Sequence, residues 1–151
     1  MKKVLIVEDE ILARLGLRQL VDWRKLELEL LPDATDGEEA LEMIRNSCPD
    51  IILLDLNIPK VSGLEILEFL KKEEMPTKVI VVSCQEEFDV VKKAMKLGAY
   101  DYLRKLNLSS DELENILEKC LVETEERITV HMQGIREIRY EEIVRESRDI
   151  L

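Results

Sequence analysis

The stretch Ile51-Ile52-Leu53-Leu54-Asp55 decides the fold. Its four apolar residues leave no polar face, which is typical of a central parallel strand that helices cover on both sides. Asp55 follows the strand directly, and Pro59 and Gly63 mark the loop behind it. The sequence therefore predicts a buried strand that delivers a carboxylate to its carboxyl end.

Four further segments predict strands around this one. Residues 3–7 and 78–82 are short apolar runs rich in β-branched residues, and another strand is predicted over 99–103. The segment 29–34 is a weaker candidate. Pro32 within it suggests an edge position, because proline cannot donate a hydrogen bond to a neighbouring strand.

Apolar residues at helical spacing predict a helix after each strand. The predicted helices cover about residues 11–21, 36–46 and 86–97, with a third ending at about 72 and a last one beginning at about 110. Asp36 is the expected N-cap of the second helix, with Glu39 three residues on, and Gly98 ends the fourth. Five strand–helix units in strict alternation predict an α/β fold with a doubly wound parallel sheet and helices on both faces.

The composition excludes several classes of protein. Asp and Glu number 33 against 22 Lys and Arg, so the formal charge is −11, and such an acidic chain is not expected to bind nucleic acid. No apolar run approaches the about 20 residues of a membrane span, and the N-terminus is not a signal peptide. Cys48, Cys84 and Cys120 lie far apart, which indicates reduced thiols without a metal or disulfide role. We expect a cytoplasmic protein without membrane contact.

Chemically useful side chains stand where four of the predicted strands end. Glu8 and Asp9 follow the first strand, Asp55 the third and Ser83 the fourth, and Lys105 comes just after the fifth. Ligands of an open parallel sheet bind at the carboxyl ends of its strands, near the point where the strand order reverses. We therefore expect these five side chains to converge on one site.

Three carboxylates that converge repel one another, and a divalent cation relieves that repulsion. Hard oxygen ligands that leave room for water suit Mg²⁺. We predict Asp9 and Asp55 as direct ligands, the backbone carbonyl of Asn57 as a third, and Glu8 as a ligand acting through water.

The same group of residues suits phosphoryl transfer onto a carboxylate. Mg²⁺ and the Lys105 ammonium would neutralise the oxygens of the transferring group, and Ser83 would donate a hydrogen bond to another oxygen. Such catalysis is mostly positioning and charge stabilisation. The predicted product is an acyl phosphate on Asp55.

From about Lys2 to Leu121 the chain resembles the receiver domains of bacterial response regulators. The matching stretches are VLIVEDE, DGEEALE, IILLDLNIPKVSGLEIL, VIVVS and KKAMKLGAYDYLRK. The resemblance implies a flavodoxin-like sheet of strand order 2-1-3-4-5, a sensor histidine kinase as partner, and Asp55 as the phosphoacceptor. It also implies that Tyr102 is an aromatic switch residue that turns inward when Ser83 moves to the phosphoryl group. Such a domain is not an enzyme for external substrates, but it catalyses its own phosphorylation and slow dephosphorylation.

A narrower resemblance is to the receivers that precede AraC-type DNA-binding domains. It rests on Glu8-Asp9-Glu10, Arg14-Leu15-Gly16-Leu17, Asp22-Trp23 and Ala34-Thr35-Asp36-Gly37. No helix-turn-helix is found after Leu121. We therefore expect either a stand-alone receiver or a chain from which a transcriptional output domain is missing.

Three positions depart from the pattern of the family. Leu106 stands where proline usually follows the lysine, so we expect a trans bond there. Cys84 is bulkier than the usual Ala or Gly and would slow access to the site or make it sensitive to oxidation. Gln85 replaces an aromatic residue, and its amide would affect the hydrolytic water.

We expect a receiver domain over 1–121 and a helical extension or linker over 122–151. A loose heptad seam runs from Leu121 to Ile138, and Gly134 indicates a break between two helices. We expect these apolar stripes to form a homodimer contact. His131 is expected to be exposed or part of an interface, not a phosphohistidine. The alternative interpretation is that His131-Met132 marks a join left by a fusion.

Two rival functions remain open at this point. A receiver fold that binds partners without phosphorylation would be expected to lose an acid, the phosphoacceptor or the lysine, and none is lost here. A Mg²⁺ phosphohydrolase of the haloacid-dehalogenase type needs a second aspartate two residues after its nucleophile, where this chain has Asn57.

Overall fold

The computed structural model describes residues 1–84 and 87–123, and in this part of the chain strands and helices alternate. The strands are β1 (Lys2–Val7), β2 (Leu28–Leu30), β3 (Ile51–Leu54), β4 (Lys78–Ser83) and β5 (Asp101–Arg104). The helices are α1 (Ile11–Leu20), α2 (Gly37–Ser47), α3 (Gly63–Lys72) and α4 (Phe88–Lys96). Residues 110–123 are also helical.

The five strands form one parallel sheet in the order β2-β1-β3-β4-β5, as predicted. β3 lies between β1 and β4, with Ile52 in register with Leu5 on one side and Val79 on the other. All four residues of β3 are buried, which explains why the strand has no polar face. The strand order reverses between β1 and β3, so the carboxyl ends of these two strands form the natural ligand site.

The edge strand β2 is shorter than the sequence predicts. Strand 29–34 was expected, but only Leu28–Leu30 pairs continuously with β1, and Ala34 forms an isolated parallel bridge to Val7. Pro32 lies between them and has no N–H group to donate, so the pairing is interrupted there. The predicted edge position is confirmed.

Three of the helix ends follow from identifiable caps. The Asp36 carboxylate accepts a hydrogen bond of 2.8 Å from the Glu39 N–H, which confirms the predicted N-cap of α2. Ser62 and Glu65 form a capping box at the start of α3 that was not predicted from the sequence. Gly98, with φ of 98°, ends α4 in the left-handed region that glycine adopts without strain.

β5 begins two residues later than predicted. The N–H groups of Gly98 and Ala99 still donate to the carbonyls of Met95 and Ala94, so these residues belong to the helix end and not to the strand. The predicted start of the fourth helix at Glu86 lies outside the described residues. Trp23 is buried in the turn after α1, and its indole N–H donates to the Arg18 carbonyl at 3.0 Å.

Two compact units divide the chain, the first spanning Met1–Glu114 and the second beginning at Asn115. The predicted domain boundary at residue 121 stays a prediction, and residues 124–151, with the heptad seam and His131, lie outside the described part. Among residues 1–84 and 87–123, no helix has the length and apolar character needed to cross a bilayer.

Candidate active site

Three acidic residues meet where β1 and β3 end. The pairing of Val7 with Leu54 sets the strand ends side by side, and the Asp55 N–H donates to the Val7 carbonyl at 3.0 Å. One carboxylate oxygen each from Glu8, Asp9 and Asp55 lies within 4.8 Å of the others. Glu8 and Asp55 are buried, with 1% and 6% of their surface exposed, and Asp9 is exposed.

Lys105 brings a cation into this acidic cluster. Its ammonium lies 2.8 Å from a Glu8 carboxylate oxygen and 3.2 Å from a carboxylate oxygen of Asp55. The backbone N–H of Lys105 donates to the Ser83 carbonyl at 3.0 Å, so the end of β4 fixes the start of the loop after β5. Glu10 also lies near, at 3.9 Å from the same ammonium, and was not among the predicted site residues.

The electrostatics of the cluster follow from its burial. Burial raises the pKa of the Glu8 carboxyl to about 7, and the charge of Asp55 adds to the rise, although the hydrogen bond from Lys105 opposes it. Burial lowers the pKa of the Lys105 ammonium, but the hydrogen bond to Glu8 and the charges of Asp55 and Glu8 outweigh this, so the pKa lies above its ordinary value. The fold thus disfavours ionised Glu8, and additional positive charge beside it would favour the carboxylate.

The other predicted site residues occupy neighbouring strand ends and loops. The backbone N–H of Asn57 donates to an Asp55 carboxylate oxygen at 3.2 Å, which fixes the loop after β3 against the central acid. Ser83 is fully buried at the end of β4. Tyr102 on β5 is half-buried and packs against the hydrophobic core. The roles assigned to these residues stay predictions.

The structure describes two of the three positions that depart from the family pattern, Leu106 and Cys84. No peptide bond in the described residues is cis, so the Lys105–Leu106 bond is trans, as expected. Leu106 is 68% exposed, and Cys84 is exposed directly after Ser83. Gln85 lies outside the described residues.

The loop that contains Asn57 is held against the start of α2. The Gly37 N–H donates to the Pro59 carbonyl at 3.0 Å, and a Cβ atom at Gly37 would lie only 1.9 Å from the Val61 carbonyl oxygen. Lys60 forms ion pairs with Asp36 at 3.4 Å and with Glu38 at 3.8 Å. This packing was not predicted from the sequence, because it joins segments more than 20 residues apart in the chain.

The comparisons with known proteins agree with this arrangement. The Response regulator receiver domain family matches residues 4–118. An "Uncharacterized response regulatory protein" of Staphylococcus epidermidis is 33% identical over 118 residues, which cover 78% of this chain and 46% of that protein. The "Uncharacterized transcriptional regulatory protein YesN" of Bacillus subtilis is 30% identical over 141 residues, covering 93% of this chain and 38% of that protein.

A solved structure supports the same assignment. The REC domain of AraT, a response regulator from Geobacillus stearothermophilus, superposes with a TM-score of 0.75 at 31% identity, covering 83% of this chain and 97% of that one. The chain spans less than half the length of the two curated relatives. Their names identify response and transcriptional regulators, so the narrower resemblance to AraC-type receivers is not shown and stays a prediction. The chain therefore belongs to the response regulator receiver domain family, the phosphoacceptor signalling switches of two-component systems.

Proposed function

We propose that this chain accepts a phosphoryl group on Asp55 from a sensor histidine kinase, in a reaction that requires Mg²⁺. The observation that carries the proposal is the position of the Lys105 ammonium between Asp55 and Glu8, at 3.2 and 2.8 Å. A carboxylate must approach an anionic phosphoryl donor, and a fixed cation at the point of approach offsets the repulsion between them.

The acidic cluster has the composition of a magnesium site. Asp9, Asp55 and the backbone carbonyl of Asn57 would hold the ion directly, with Glu8 acting through water. All of these donors are oxygens, which is the ligand set that Mg²⁺ prefers. When bound, the ion would neutralise negative charge on the phosphoryl oxygens and on the acids that surround them.

The residues of the chain supply the positioning. Asp55 is held from two sides, because one of its oxygens accepts from the Asn57 N–H and the other from Lys105. A carboxylate oxygen forms the bond to phosphorus while the phosphorus–nitrogen bond of phosphohistidine breaks, and its electron pair returns to the imidazole nitrogen. Lys105 then donates to an oxygen of the transferred group, and the chain in this way promotes its own phosphorylation.

Ser83 and Tyr102 are the proposed readout of phosphorylation. Ser83 lies at the end of β4, and in the sheet its neighbour on β5 is Arg104, two residues after Tyr102. A hydroxyl that moves to the phosphoryl group leaves space near the strand end, and the half-buried Tyr102 ring would turn into it. This would convert a local charge into a change of surface shape.

We further propose that the signal passes to a transcriptional output, through an output domain beyond this chain and a homodimer of the protein. The match to the Bacillus subtilis transcriptional regulator covers 93% of the chain, and a match of that length extends past residue 121. Residues 122–151 would then be a linker shared with longer regulators. The length of the match favours this interpretation over a join left by a fusion.

The proposal is tested by intact-mass measurement after incubation with acetyl phosphate or phosphoramidate, with and without Mg²⁺. The Asp55→Asn variant removes the acceptor. The Asp50→Asn variant is a matched control, because Asp50 lies at the opposite end of β3 and its carboxylate accepts from the Lys3 N–H at 2.8 Å. The amide oxygen of asparagine can keep that hydrogen bond.

We expect one phosphoryl adduct in the wild type and in Asp50→Asn, only with Mg²⁺, and none in Asp55→Asn. If the wild type binds Mg²⁺ but takes a phosphoryl group from neither small donor nor from a phosphorylated histidine kinase, the switch function is refuted. A phosphorylation-independent interaction module would then be the better description.

A further inference from the structure

Arg14 touches the backbone of the acidic pair from the first turn of α1. Its guanidinium Nη1 donates to the Glu8 carbonyl at 3.1 Å and to the Asp9 carbonyl at 3.0 Å. The side chain is mostly buried, with 18% of its surface exposed. One nitrogen therefore joins the two peptide groups on either side of the Asp9 Cα atom.

The orientation of the Asp9 side chain depends on the conformation of its backbone. It is exposed, whereas Glu8 is buried and its carboxylate accepts from the Glu10 N–H at 3.2 Å. The N–H of Glu8 is fixed separately, since it donates to the Ala34 carbonyl. The guanidinium of Arg14 adds two hydrogen bonds from the carbonyl side of this turn, so it helps to hold the loop after β1.

Arg14 is itself held by a carboxylate on another loop. Its Nε lies 3.9 Å from Asp33, which follows β2. Asp33 also accepts from Arg18 at 2.6 Å. The negative charge of Asp33 partly offsets the positive charge of Arg14. The repulsion between the guanidinium and a cation bound at the acidic cluster is therefore reduced.

We propose that Arg14 is a positioning residue that orients Asp9 for the divalent cation by holding the carbonyls of Glu8 and Asp9. The inference rests on the proposed function, because it assigns a role within the same magnesium site. Partners that orient a metal ligand without touching the metal typically change metal affinity by about 10- to 100-fold when removed. Arg14 should therefore affect the Mg²⁺ affinity more than the rate of the reaction once Mg²⁺ is saturating.

The test compares Arg14→Met with Arg18→Met. Both variants remove one positive charge and one contact with Asp33 from the same helix, but only Arg14 touches the carbonyls of the acidic pair. Arg14→Lys keeps the charge and has a single nitrogen, so it cannot place one nitrogen on the carbonyls and another toward Asp33 as the guanidinium does. Mg²⁺ binding is measured by titration calorimetry, and phosphorylation by acetyl phosphate is followed as a function of Mg²⁺ concentration.

For Arg14→Met we expect the Mg²⁺ dissociation constant, and the Mg²⁺ concentration for half-maximal rate, to rise about tenfold or more. The rate of Arg14→Met at saturating Mg²⁺ should stay within about threefold of the wild type. The Mg²⁺ dissociation constant of Arg14→Lys should lie between those of the wild type and Arg14→Met. Arg18→Met should keep the Mg²⁺ affinity within about twofold while losing thermal stability as Arg14→Met does.

Equal Mg²⁺ affinities in Arg14→Met and Arg18→Met would overturn the inference and leave Arg14 as a structural residue. A wild type that binds Mg²⁺ without forming an adduct would refute the phosphorylation proposal instead, and the calorimetric comparison would still decide the role of Arg14. A wild type that does not bind Mg²⁺ at all would refute both.

Discussion

The Gly37→Ala variant tests whether the start of α2 holds the loop of the active site. A Cβ atom at this position would lie 1.9 Å from the Val61 carbonyl oxygen and 2.5 Å from the Val61 Cβ atom. Real Cβ contacts do not fall below 3.0 Å, so the loop or the helix must shift by about 1 Å. The obstacle is mostly backbone and cannot rotate away as a flexible side chain would.

The expected cost can be worked out from this contact. Inserting one methyl group into a packed site costs about 1–3 kcal/mol. The Gly37 N–H also donates to the Pro59 carbonyl, and a shift of about 1 Å weakens this bond, which contributes about 1 kcal/mol. Because alanine favours helix over glycine by up to about 1 kcal/mol, the net loss should be about 2 kcal/mol. For a chain of this size, that lowers the midpoint of thermal unfolding by about 4–8 °C.

Thermal unfolding followed by circular dichroism measures this loss, and Gly16→Ala is the matched control. Gly16 lies within α1, and a Cβ atom there would meet nothing within 4 Å. The same substitution should therefore stabilise the protein at Gly16, by about 0.5–1 kcal/mol. An unfolding midpoint for Gly37→Ala at or above that of the wild type would refute the reasoning about the loop.

Three further variants test separate parts of the structure. Lys105→Met removes the cation beside Asp55 and should slow phosphorylation by acetyl phosphate by about 10²–10³-fold, whereas an unchanged rate would show that Lys105 is not needed. Asp36→Asn keeps the cap but loses the charge, and the hydrogen bond from Glu39 and the Lys60 ion pair lower the pKa of Asp36 below 3.8. The wild type should therefore be more stable than the variant above pH 3.8, and the urea unfolding curves of the two proteins should converge in more acidic solution. Leu67→Ala truncates a fully buried side chain of α3 and should cost about 2–5 kcal/mol in urea unfolding, and a loss below about 1 kcal/mol would contradict the packing described for that helix.

The strongest sequence predictions were those with a local physical cause. An entirely apolar run such as 51–54 has no polar face to turn to water, so its central place in a parallel sheet follows directly. The Asp36 cap is equally local, because it needs only a short polar side chain and a free N–H three residues on. The order of the strands came from the resemblance, and the pairing confirms it.

The sequence also predicted which side chains meet, but not how they are supported. Glu8, Asp9, Asp55 and Lys105 were placed together because each follows a strand. The structure places carboxylate oxygens of the three acids within 4.8 Å of one another and the Lys105 ammonium against Glu8 and Asp55. Arg14 was missed as a supporting residue, since a basic residue on an exposed amphipathic helix usually reaches solvent. Only the three-dimensional path of the loop shows that its guanidinium reaches two backbone carbonyls.

The remaining errors concern element ends that depend on contacts between distant segments. The start of β5 could not be read from residues 99–103, because hydrogen bonds back to α4 keep Gly98 and Ala99 in the helix end. The packing of Val61 on Gly37 joins two loops that are remote in sequence. No local pattern marks a glycine whose missing side chain makes room for another loop.

The central claim is that Asp55 receives the phosphoryl group, and borohydride trapping tests it most directly. Borohydride reduces an acyl phosphate to an alcohol, which converts a phosphorylated aspartate into homoserine. After treatment with acetyl phosphate and Mg²⁺, reduction and digestion, peptide mass spectrometry should find homoserine at position 55. Reduction at Asp9, or a phosphorylated protein with no reduced residue at position 55, would contradict the assignment.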